Sequence, residues 1–164
     1  MQKYIIQTGD RNPILRSKSE FVDEITPEIK TFCQDLIKLM RKHDGVGLAA
    51  PQVGKNIRII ATTQRDMKKT KEALLAETIM INPEIKEFSK DTIIGEEACI
   101  SLPDILGKVK RYKSLTVEYL DIKGNKQKKK LKDFNAVIVQ HEMDHLEGIL
   151  FTDKLIKKNN VKKM

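Results

Sequence analysis

Two histidines and a glutamate stand together in Gln140-His141-Glu142-Met143-Asp144-His145. At 3.6 residues per turn, a helix carries His141 and His145 on one face, one turn apart, with Glu142 beside the first. Two imidazoles so placed can share a metal ion. A carboxylate next to that ion, but not bound to it, can take a proton from water, which is the arrangement that metal-assisted hydrolysis of an acyl bond needs. Paired histidines at this spacing also arise on amphipathic helices without any metal, so context has to decide. Here Phe134, Val137 and Ile138 precede the pair on the same stripe, so both rings face the buried side. Unpaired ring nitrogens are costly there, and one cation would satisfy both. Gly148 then offers the helix a stop.

A catalytic site of this kind takes three protein ligands and leaves one position open. The zincin pattern, with a glutamate well downstream of the second histidine, fails, because the acids after His145 are Glu147 and Asp153, both too near. The metzincin pattern matches through Gly148 and then meets Phe151 where its third histidine belongs. An endopeptidase of either type is disfavoured, and the third ligand must lie upstream among Cys33, His43 and Cys99. Cys33 falls on the apolar stripe Ile29, Phe32, Cys33, Leu36, Ile37, Met40 of a helix opened by Thr26-Pro27, so it reads as a buried small hydrophobe. His43 follows that helix, where it meets the negative end of the dipole at the surface. Cys99 sits in Gly95-Glu96-Glu97-Ala98-Cys99-Ile100-Ser101-Leu102-Pro103, a non-helical stretch that can project a thiol, and is the ligand chosen. Two unpatterned cysteines argue against a disulfide framework and for a reducing compartment.

A third segment, Gly45-Val46-Gly47-Leu48-Ala49-Ala50-Pro51-Gln52-Val53-Gly54, has glycines that let a substrate backbone lie against the chain, and it lacks the spacing of a nucleotide loop. In order, Gly-x-Gly-x-Ala-Ala-x-Gln, Glu-x-Cys-x-Ser and Gln-His-Glu-x-Asp-His closely resemble the motifs of the peptide deformylase family. The likeness runs over about the first 150 residues, with Ile81-Asn82-Pro83 between the first two motifs and Leu146 to Phe151 after the third.

The resemblance implies a metallohydrolase that removes the formyl group from N-formylmethionyl peptides. It implies a metal on Cys99, His141 and His145, with Glu142 as general base. The Gln52 side chain and the Ile100 N–H would serve the oxyanion, and Gly47 the substrate main chain. Val46, Phe134, Val137 and Ile138 would line the methionine pocket, and Glu97 joins the substrate-binding set. The implied cofactor is one divalent ion, natively Fe2+, with Zn2+, Ni2+ or Co2+ able to substitute. Two positions depart from the family pattern: Ala98 replaces a usual glycine and Ile100 a usual leucine. A backbone contact through Ile100 is indifferent to its side chain. If the chain needs positive φ at Ala98, the strain is about 1 kcal/mol or more. That departure sustains the alternative of a catalytically impaired, basic, ribosome- or RNA-associated binding module. A further C-terminal helix found in bacterial relatives has no counterpart after Lys154, so its ribosome docking does not transfer.

The elements that must position these residues form an α+β fold, a single domain over residues 1–164 with mixed or antiparallel strands around a central metal-binding helix. Expected are a helix at 28–42, strands at 57–62 and 78–82, a hairpin of 115–120 with 126–131, and the metal helix at 134–147. The stretch 63–77 reads as a mobile insertion or a short helix. Hydrophobic residues make up 40% of the 164, enough for a core, and no run approaches a membrane span. No secretory signal opens at Met1, so a cytoplasmic enzyme with no membrane or DNA partner is expected. The net charge of +8 lies wholly beyond residue 105, at Lys126 to Lys132 and in a basic tail from about 154. Such runs are usually solvated faces, but a basic edge would also favour an encounter with the ribosome.

Overall fold

The computed structural model describes residues 4–65, 74–156 and 162–163. Helix α1 (Pro27–Lys42) starts where expected: the Thr26 hydroxyl accepts from the Ile29 N–H at 3.3 Å, and Pro27 occupies the first turn. After β1 (Gly47–Ala49) and a 3-10 turn (Ala50–Val53) come β2 (Ile59–Arg65), β3 (Leu74–Phe88), β4 (Thr92–Cys99), β5 (Leu102–Tyr112), β6 (Ser114–Leu120) and β7 (Lys126–Lys132). Helix α2 (Asp133–Leu146), a 3-10 turn (Phe151–Lys154) and β8 (Lys162–Lys163) complete the order. One antiparallel sheet runs β1-β2-β3-β6-β7 and a second β4-β5-β8, giving the expected α+β domain.

Alternation along the strands places the helices on opposite faces of the five-stranded sheet. Ile59, Ala61, Ile79 and Ile81 pack with α1 residues Phe32, Cys33, Leu36 and Met40. Ile60, Met80, Leu115 and Val117 point the other way, against Ala136, Val139 and Leu146 of α2. The far side of α2 meets the second sheet, where Leu15, Cys99, Leu102, Val109, Leu150 and Phe151 form a further cluster. Thus α2 is central, and Gly148 ends it with φ 70°.

Three expectations change. The stretch 63–77 is strand at both described ends, with Thr63 opposite Glu77 and Arg65 opposite Leu74, while residues 66–73 lie outside the described residues. Polar strand residues hid this arm from a search for apolar alternation. Strand β3 runs on through Pro83: the ladder slips between Ile81 and Glu84, and Asn82, at φ 51°, binds the Val22 N–H and carbonyl with its side-chain amide. The segment holding Cys99 is the β4–β5 hairpin, invisible in sequence because β4 is exposed along most of its length. The lysine run 126–132 is an edge strand, where charge blunts sheet-to-sheet pairing. Packing continues past residue 154, since Leu155 bridges to Val109 and fills the space over Gly107. Among the described residues no helix is long and apolar enough to cross a membrane.

Candidate active site

Cys99 ends β4, at a point where the ladder slips so that Cys99 pairs with Leu102 across the two-residue turn Ile100-Ser101. This aims the sulfur at α2. The ligand atoms of Cys99, His141 and His145 all lie within 4.8 Å of one another, with Sγ 3.3 Å from His145 Nε2. The His141 Nδ1 is 2.8 Å from Glu97 Oε2, which leaves Nε2 for the centre of the cluster. Phe151 stacks on the His141 ring at 6.1 Å, a packing role for the residue that broke the metzincin pattern. Ala98 lies in extended strand and is not among the positive-φ residues, so the strain that sustained the impaired-module alternative is absent.

Glu97 differs from its expected place against the substrate. Both its oxygens are engaged by Arg111, at 2.8 and 2.9 Å, and one also by His141, so it stands behind a ligand. Burial would raise its pKa, but Arg111 and His141 outweigh burial and hold it at about 2. Arg111 also binds Asp144 at 2.5 Å, and Asp144 binds Lys154 at 2.7 Å. A chain of alternating charge thus runs from the surface to His141. Arg111 and Asp144 escaped the sequence reading. The available signal was Arg111 itself, an arginine where 25 of the 31 cations are lysine, at a place that needs a two-pronged donor.

Glu142 is 4% exposed, its carboxyl pushed up to about 7 by burial, and its Oε2 has no partner among the described residues. Burial lowers His145 well below its ordinary pKa, as does the charge of His141. Burial also opposes a charge on His141, yet hydrogen bonds to Cys99 and Glu97 and the charge of Glu142 raise it well above its ordinary value. A site that favours positive charge at that point, ringed by a thiol and two imidazole nitrogens, suits a divalent cation.

The Gln52 Oε1 accepts from the Ala49 N–H at 2.8 Å, which turns its amino group inward, 3.4 Å from Cys99 Sγ and 3.1 Å from the Ser101 hydroxyl. A side chain at Gly47 would overlap the Glu142 carboxylate, so this position admits only glycine. Val46, Gly47, Gln52, Glu97, Cys99, Ile100, Phe134, Val137, Ile138, His141 and Glu142 all line one cavity of about 640 Å³, and His145 sits beneath it. His43 is exposed at the cavity mouth. Cys33 is in the α1 core, its thiol pushed up to about 11 by burial.

Residues 3–161 match the model of the family described as polypeptide deformylase. The chain belongs to that family. It is 43% identical over 153 residues to peptide deformylase 2 of a Nostoc species, covering 92% of this chain and 84% of that one. Its fold matches the crystal structure of peptide deformylase from Thermotoga maritima with a TM-score of 0.84 at 32% identity, covering 94% and 98% of the two chains. A class I type b peptide deformylase from Acinetobacter baumannii, crystallised with Met-Ala-Ser bound, matches at a TM-score of 0.85 and 32% identity over 94% of this chain and all of that one. The activity of this chain is metal-dependent peptide deformylation, and the motifs that a deformylase needs converge on the one cavity.

Proposed function

We propose that Cys99, His141 and His145 hold one divalent ion and that this cavity releases formate from N-formylmethionyl peptides, with the methionine side chain against Val46, Phe134, Val137 and Ile138. The observation that carries the reading is the convergence of the three ligand atoms within 4.8 Å beside a buried, unpartnered Glu142 oxygen. When bound, the ion supplies a Lewis acid that acidifies water and polarises the formyl oxygen. Glu142, with a carboxyl near pKa 7, accepts the proton of the attacking water and returns it to the leaving amine as the C–N bond breaks. The Gln52 amino group and the Ile100 N–H donate to the developing oxyanion, and Gln52 is already oriented by Ala49. Gly47 brings the main chain of β1 against the substrate backbone, and Glu97 orients His141. The Acinetobacter complex supports a substrate that continues past methionine toward the cavity mouth.

Fe2+ is proposed as the native ion, after the ferrous habit of the family, although the usual affinity order favours Zn2+ and Ni2+ for such donors. Formate release from formyl-Met-Ala-Ser by anaerobically loaded protein tests both claims, with internal peptide bonds remaining intact. The Fe2+ form should be much more active than the Zn2+ form and decay in air through oxidation of the ion or Cys99, whereas the Ni2+ form persists. A fully active, air-stable Zn2+ form would overturn the iron assignment.

The cytoplasm is proposed as the compartment, and the lysine edge of β7 as a contact for ribosomal RNA. Co-sedimentation with ribosomes should then fall steeply as salt rises and fall further when Lys126, Lys128 and Lys130 are made neutral. Association indifferent to salt and to those lysines returns β7 to a solvated edge.

A further inference from the structure

The mouth of the cavity has a charge opposite to that of the chain. The protein carries +8, yet no lysine or arginine lines the cavity, whereas Asp44, Glu96 and Asp104 do, all three exposed. They arrive from three separate segments: the turn after α1, strand β4 and the start of β5. Asp44 and Asp104 share a second property, φ values of 51° and 65°. This left-handed region is closed to most side chains and tolerated by aspartate and asparagine, so the backbone fixes both carboxylates on the rim. Among the described residues neither is hydrogen-bonded or ion-paired through its side chain. Glu96 stands opposite Lys108 in the β4–β5 ladder, which offsets part of its charge. Deeper in the same cavity Glu142, 96% buried, presents its unpartnered oxygen.

We propose that this acidic rim is a specificity subsite for cationic side chains, so that the enzyme prefers formylmethionyl peptides with lysine or arginine at the second or third position. The inference rests on the deformylase reading of the cavity. A peptide with methionine seated against Phe134 and Val137 and its main chain along Gly47 leaves through the mouth. At roughly 3.3 Å per extended residue, its next two side chains pass the rim. A long cationic side chain meets two fixed carboxylates there, and an acidic one is repelled. Exposed pairs are weak and screened, so the discrimination is modest and salt-dependent.

The experiment measures kcat/KM for formyl-Met-Ala-Ala, formyl-Met-Lys-Ala, formyl-Met-Ala-Lys and the matching glutamate peptides, at low and high salt. It compares the metal-loaded enzyme with the Asp44→Asn, Asp104→Asn double variant, in which asparagine retains the left-handed backbone. At low salt the better lysine peptide should exceed its glutamate counterpart by about tenfold, mainly through KM. That ratio should fall toward one in high salt and in the double variant. Wild-type enzyme that cleaves the neutral peptide with no lysine preference overturns the subsite and leaves the deformylase reading standing. A wild-type preference that persists in the double variant overturns the assignment to these two residues. Failure to cleave any of the peptides overturns the underlying reading.

Discussion

Helices α1 and α2 lie on opposite faces of one sheet and bury different chemistry. α1 buries Phe32, Cys33, Leu36, Leu39 and Met40 and turns its charged residues to solvent. α2 is covered by both sheets and buries Gln140, Glu142 and His145 among Ala136, Ile138, Val139 and Leu146. On α1 every buried atom is satisfied by contact alone. On α2 the buried polar groups need partners: the Gln140 amide bridges to the Tyr112 N–H and carbonyl, and His141 leans on Glu97. The same degree of burial therefore supplies stability in one helix and reactivity in the other, and each can be removed without the other.

The two buried cysteines give the sharpest separation. Cys99→Ala should abolish stoichiometric metal binding, while Cys33→Ala should keep the metal and lose about 1 kcal/mol of stability. Metal analysis beside a urea transition distinguishes them, and equal metal loss from both would erase the contrast. Next in size is Glu142→Gln, which preserves shape but removes proton acceptance, so turnover should fall by roughly 100-fold or more with metal content intact. Metal loss in that variant would make Glu142 a ligand. The smallest effect concerns the charge chain behind His141. Glu97, held at about 2 against an ordinary 4.5, contributes stability in full above pH 4.5 that is lost as pH falls toward 2. Arg111→Met should flatten this acid limb and weaken metal binding by about tenfold, with Arg111→Lys recovering part of both. An acid limb unchanged in Arg111→Met would detach Glu97 from the site.

Periodicity revealed both helices because each carries a long run at the helical repeat, and the turn around Gly124 made the β6–β7 hairpin legible. It did not reveal β4, whose exposed residues alternate with nothing, or the arm of β2 beyond Thr62, whose residues are polar. The residues of the cavity were readable because their types are scarce and their motifs specific. Arg111 and Asp144 were not, since an ion pair between a strand and a helix leaves no spacing in the sequence to find. Glu97 shows the same limit in reverse: its motif marked it, but only its neighbours reveal that it faces His141.

The contact between Gly47 and Glu142 also bears on how this enzyme can change over generations. No residue is smaller than glycine, so any substitution at position 47 displaces the glutamate beside it. A lineage under selection by a cavity-filling inhibitor could revise the walls at Val46, Val137 or Ile100, whose side chains have room to vary in size. The wall at Gly47 offers no such route. A compound that draws its affinity from that stretch of backbone leans on the part of the cavity least able to evolve away from it.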